Sequence, residues 1–175
     1  MANIHELLKA IEATPLSQAI LESGVWFPVI ETVHVLALTL VFGTIAFVDL
    51  RLLGWASRGR GLQALSRELL PWTWSGFAVA VLSGALLFIS QPVKYWDNLP
   101  LRIKFALLAL AGLNMLVFHL GAYRHIVQQE QAAPAAPRGP GTLALPTAAR
   151  WAGGLSLLFW TGVIAAGRWI AFAGY

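Results

Sequence analysis

Ionisable side chains interrupt otherwise apolar runs in two layers. An ionisable group at membrane depth costs roughly 2.5–3.5 kcal/mol on insertion scales, so each is read first as functional. The outer layer holds Glu31, His34, Lys104 and Arg168. Glu31 and His34 are three residues apart and share a helix face. At 1.5 Å per residue, His34 lies roughly 9–12 Å below Trp26 and Phe27. Lys104 enters its segment from the same side, and Arg168 lies about one to two turns from the end of its own. The inner layer holds Asp49, Arg51, His119, Arg124 and His125. His119 is about 22 Å from Lys104 along a helix axis, hence near the opposite face. Gly112, Met115, His119 and Ala122 fall on one stripe, where the small residues leave room for a flat ligand.

Two chemistries fit His34 and His119. One is axial ligation of haem b, because imidazole is a common haem ligand and helix bundles build cofactor sites in their cores. Lys104 and Arg168 would then pair with outer propionates, and Arg51, Arg124 or Arg150 with inner ones. Glu31 would orient the His34 ring by accepting from its second nitrogen. The other is a pair of interhelical hydrogen bonds that only add packing specificity. The two histidines differ in depth by roughly 12–15 Å, so a straight bundle does not place both on one iron. Each haem would draw its second ligand from another subunit, from Met115 or from water, or have none. Asp49 and Arg51 also read as an interfacial ion pair that anchors topology. His5 reads as facing headgroups, and Asn114 as interhelical glue.

These residues need four long elements to position them. Apolar segments run at about 25–53, 69–93, 101–125 and 149–174, each near the roughly 20 residues that a bilayer-spanning helix requires. Long runs without alternation exclude a β-barrel. Hydrophobic residues make up 58% of the 175 and charged ones 11%, against about 25% charge in soluble domains, so lipid is the fitting solvent. Tryptophan and tyrosine cluster at segment ends, at Trp26, Trp55, Trp72, Trp74, Tyr95, Trp96, Trp151, Trp169 and Tyr175, as interfacial belts do. The expected fold is all-α: an integral membrane four-helix up-down bundle with short N-terminal interfacial amphipathic helices over residues 1–24. Ile4, Leu7, Leu8 and Ile11 carry helical spacing, Asn3 and Glu6 form a capping-box start, and Thr14-Pro15 begins a second short helix. Gly76, Ala80 and Gly84, four apart, form a small-residue face that admits a close neighbour, with Ser83 beside it. The Pro/Ala/Gly-rich stretch 127–148 reads as a flexible loop without chemistry.

Function classes fall away in turn. There are no cysteines, which removes disulfides, thiolate-held metals and thiol catalysis. The pI of about 10.0 does not imply a nucleic-acid partner, because the basic residues stand singly at the ends of apolar runs. Glu6, Lys9 and Glu12 interrupt any signal-peptide core. No phosphate loop, nucleophile elbow or HExxH motif is present. Lys and Arg divide as seven (Arg51, Arg58, Arg60, Arg67, Arg124, Arg138, Arg150) against five (Lys9, Lys94, Arg102, Lys104, Arg168). The positive-inside tendency then places both termini in the periplasm of a bacterial inner membrane.

The stretch WFPVIETVHVLALTLVFGTIAFVDLRLLG (26–54), with PWTWSGFAVAVLSGALLF, YWDNLPLRIK and FWTGVIAAGRWIAFAGY, resembles an uncharacterised family of small bacterial four-helix inner-membrane proteins. The resemblance covers nearly the whole chain except 127–148. More loosely, the chain is similar to b-type membrane cytochromes and to the membrane part of copper-resistance D-type proteins. It implies His34, Asp49, Arg51, Lys104, His119 and Arg168 as the key positions. Dihaem cytochromes offer four paired histidines, and this chain offers two unpaired ones. The leading expectation is a haem b-binding electron-transfer protein exchanging electrons with quinol or quinone, a membrane oxidoreductase in kind. The alternatives are a metal-ion or proton transporter in which Glu31, His34, Asp49 and His119 form a relay, and an accessory subunit of a larger membrane complex. A homo-oligomer is compatible with each.

Overall fold

The computed structural model describes residues 4–57, 59–132 and 145–173. The expectations placed on Asn3, Arg58, Arg138 and Tyr175 lie outside them. Among the described residues every regular element is helical: α1 (Ile4–Glu12), α2 (Pro15–Glu22), α3 (Trp26–Leu52), α4 (Leu62–Ser90), α5 (Pro92–Trp96), α6 (Leu99–Phe118), a π turn (His119–Tyr123), α7 (Arg124–Ala132) and α8 (Thr147–Trp169). Three helical stretches are long and apolar enough to cross a membrane: α3, α4 and the run that begins with α6. They mark the chain as a membrane protein.

Local chemistry explains the boundaries. Thr14 caps α2 by accepting from the Ser17 amide, and Pro15 occupies the first helical position. Asn98 caps α6 through the Leu101 amide, with Pro100 behind it. α3 stops in a Schellman turn: the Gly54 amide bonds Arg51 O, the Trp55 amide bonds Leu50 O, and Gly54 takes φ +77°, where other residues are strained. Pro92 follows Gln91 and prevents α4 from continuing.

Three features differ from expectation. α4 starts at Leu62 and runs through Pro71, because the missing Pro71 amide costs one bond in a helix that α3 holds from Thr73 to Gly84. The third apolar segment does not stop at 125. It passes through the π turn and continues as α7 to Ala132, into the stretch read as loop. The fourth, α8, is the least apolar of the long helices, since Gly153, Gly154, Ser156, Thr161, Gly162 and Arg168 dilute its hydropathy.

The long helices pair antiparallel. α4 lies along α3, α6 lies along α8, and α3 and α8 join the two pairs. The small-residue face of α4 is the α3 contact. A Cβ on Gly76 would sit 3.1 Å from the Val41 side chain, and Val41 is 0% exposed. Gly153 of α8 meets α3 still more closely, at 2.9 Å to Leu52 Cβ and 3.0 Å to Asp49 O. Backbone approach of this kind is how apolar helices gain van der Waals contact without a hydrophobic driving force between them. Val41, Ala111, Trp160 and Val163 form the central core, and Leu52, Leu62, Phe118, Ile126 and Ala149 form a second core near the inner end.

Candidate functional site

Four helices converge on Lys104. Its Nζ lies 3.4 Å from His34 Nε2. His34 Nδ1 lies 3.0 Å from Ser83 Oγ on α4. The Ser83 hydroxyl donates to Val79 O at 2.6 Å. With Lys104 as an ammonium, these contacts have one consistent assignment. An ammonium only donates, so His34 Nε2 accepts, Nδ1 carries the ring hydrogen, and Ser83 accepts it and passes its own hydrogen to the Val79 carbonyl. The ring is neutral and its tautomer is set from both sides.

Two glycines make the room. A Cβ on Gly84 would lie 3.0 Å from His34 Cε1, so the imidazole rests on bare α4 backbone. A Cβ on Gly167 of α8 would lie 3.6 Å from Lys104 Nζ. Among the described residues no carboxylate lies within ion-pair distance of Lys104, and His34 is its one polar partner. An ammonium has three hydrogens, so two remain for a ligand.

The rim is formed by α5 and the start of α3. Glu31 is exposed one turn from His34. Tyr95 stacks on Phe88 with ring centroids 6.4 Å apart. Burial pushes the Tyr95 phenol above its ordinary range, and the Glu31 carboxylate pushes it further the same way. Asn98 donates to Ile170 O at 3.3 Å and ties the start of α6 to the end of α8. Arg168, expected beside this group, instead sits over the Phe172 ring at 5.7 Å.

The inner layer is built differently. Arg51 Nε donates to Arg60 O at 3.0 Å. Asp49 is 5% exposed and its Oδ2 has no hydrogen-bond partner. The expected Asp49–Arg51 ion pair does not form, because helix positions two apart do not face each other. Glu130 of α7 accepts from the amides of Leu62 at 2.6 Å and Gln63 at 3.1 Å. That carboxylate caps α4, whose start at Gly61 offers no capping side chain. The sequence reading assigned Glu130 no chemistry. Its signal was the uncapped Gly61-Leu62 start, which requires an acceptor from elsewhere.

His119 is not brought to His34. Its Nδ1 donates to Met115 O at 3.1 Å, and its ring lies against Tyr123 at 4.8 Å between centroids. Gly112, expected to make room beside it, faces open space. Because Lys104 touches His34, the two histidines stand roughly 20 Å apart along α6. Arg124, His125 and Arg150 are exposed. Asn114 Nδ2 donates to Ala152 O at 2.9 Å, the interhelical role expected of it.

These residues do not fit a haem held by one chain. His34 has both nitrogens engaged and its ring packed on Gly84, and His119 is at the other end. A relay from His34 to Asp49 meets the fully buried Val41 packed on Gly76. Among the described residues no three His, Asp or Glu side chains gather to hold a metal ion. Comparison with protein-family models, curated proteins and solved structures finds no match for the chain.

Proposed function

We propose that this chain is a four-helix up-down bundle of a bacterial inner membrane, of the kind its sequence resembles, and that it binds a quinone-class ligand at the His34–Lys104 end in the course of electron transfer. The observation that carries the reading is the line Lys104–His34–Ser83, a half-buried cation with unspent donors held against a neutral imidazole. A quinone is apolar, reaches its site through lipid, and offers carbonyl oxygens that accept hydrogen bonds. Lys104 donates to such a carbonyl and carries the negative charge that develops when the ring is reduced. His34, through Ser83, holds the ammonium in place. The apolar floor of Val41 and Gly76 keeps water and protons from running further along α3.

The test is titration of the detergent-solubilised protein with a short-chain quinone, followed by tryptophan quenching. Lys104→Met and His34→Ala are expected to weaken binding at least tenfold. Unchanged affinity in both variants overturns the reading.

A second reading places haem b on His119, whose Nε2 has no partner among the described residues, so that a second copy of the chain supplies the other ligand. A sharp reduced α band that vanishes in His119→Ala would support it. A spectrum showing only tryptophan and tyrosine absorption from haem-replete cells would remove it.

A further inference from the structure

At the inner end an open groove of about 340 Å³ runs between the end of α3 and the start of α8, lined by Leu53, Thr147, Arg150, Trp151 and Gly154. Its walls are almost wholly apolar, the polar ends of Thr147 and Arg150 standing at its edge rather than lining it. The volume is at the low end of small-ligand sites, roughly 300–1,000 Å³. The space beside Gly154 is open, since a Cβ there would meet only Leu53 Cδ2 at 3.8 Å. The Arg150 guanidinium has no hydrogen-bond or ion-pair partner among the described residues, its backbone amide alone bonding Pro146 O. Trp151, 69% exposed, and Trp55, 72% exposed, stand at this end as interfacial aromatics do.

We infer that this groove holds an anionic phospholipid, with one acyl chain along Leu53, Trp151 and Gly154 and the phosphate on Arg150 and Thr147. An apolar slot fits a hydrocarbon chain, and an unpaired guanidinium fits a phosphate, which it binds through two parallel donors. Basic pockets between membrane helices on the cytoplasmic side favour anionic headgroups for the same reason. Other charges toward this end are engaged elsewhere: Arg51 Nε donates to Arg60 O, Arg60 pairs with Glu68, and Glu130 accepts at the start of α4. The inference rests on the membrane placement proposed above and not on the ligand at His34.

The full chain, delipidated in detergent, is titrated with phosphatidylglycerol, phosphatidylcholine or inorganic phosphate, and its melting is followed by intrinsic fluorescence. Native mass spectrometry counts bound lipid. Phosphatidylglycerol is expected to raise the melting temperature, and the other two are not. Arg150→Gln is expected to weaken phosphatidylglycerol binding at least fivefold. Gly154→Leu, which fills the slot and keeps the cation, is expected to abolish it, and Arg102→Gln at the other end to leave it unchanged. Equal response to phosphatidylcholine, or an unaltered Arg150→Gln, overturns the inference. Phosphate alone reproducing the shift overturns it in favour of a bare anion site. Lipid binding that appears only when residues 133–144 are deleted overturns it in favour of that segment as the occupant.

Discussion

The two polar ends of this molecule use similar residues for different work. At the inner end Arg51 Nε and the Glu130 carboxylate bond to backbone, at Arg60 O and at the first amides of α4. At the outer end Lys104 and His34 bond mainly to each other and to Ser83, and the ammonium keeps hydrogens to spare. Both ends carry the desolvation cost of polar groups among apolar helices. Only the inner end recovers it in secondary structure. The lesson is that a charge in a membrane helix becomes a functional candidate when the helix ends do not need it.

The sharpest way to break that contrast is at the close approach beside Asp49. Gly153→Leu forces its side chain into Leu52 Cβ and the Asp49 carbonyl, both within about 3 Å of a new Cβ, and is expected to cost about 3 kcal/mol or prevent folding. Gly112→Leu meets open space and is expected to leave detergent melting nearly unchanged. Equal losses would mean that α3 and α8 do not meet as described.

Glu130→Ala strands the Leu62 and Gln63 amides and is expected to cost roughly 1–3 kcal/mol in a detergent unfolding curve, with quinone affinity unaltered. Lys104→Met should do the reverse. It is expected to lose tenfold in quinone affinity, about 1.4 kcal/mol, while stability is unchanged or raised, because a half-buried ammonium without a carboxylate gives way to a thioether chain of similar volume. If Lys104→Met unfolded the protein and Glu130→Ala did not, the assignment of structural and functional ends would be exchanged.

Smaller effects refine the picture. Tyr95 is held neutral by burial and by Glu31, so its phenol should ionise above the ordinary value of about 10 in an ultraviolet titration. A raised folded-state pKa contributes stability that is present below the unfolded value and is lost as pH rises through the folded one. Tyr95→Phe should therefore flatten the alkaline limb of the stability profile. Glu31→Gln should bring the Tyr95 titration back toward its usual range. Arg60→Ala breaks a 2.6 Å pair with Glu68 that is more than half exposed on both sides, and is expected to cost under about 1 kcal/mol.

Much of the local structure could be read from particular residues. Thr14-Pro15 announced a helix start, and Gly76, Ala80 and Gly84 announced the α4 face that α3 covers. Ser83 was legible as a polar group on that face. The role of Gly84 was not, because what makes that glycine necessary is the His34 ring on a different helix. The continuation into α7 was hidden by the polar composition of QQEQ, which reads as loop until Glu130 is seen to complete another helix.

That the chain is helical and suited to lipid, with few charges inside its apolar runs, follows from the order of its residues alone. The cost of such charges and the length of the runs are properties of single segments. Tertiary structure alone decided which of these charges meet. Lys104 and His34 are 70 positions apart and become neighbours because α3, α4, α6 and α8 converge at one end. His119, on the same helix as Lys104, is carried roughly 20 Å away by the helical rise. Spacing along one helix fixes depth, but the rotation of one helix against another fixes partners, and that rotation is set by where glycines let backbones touch.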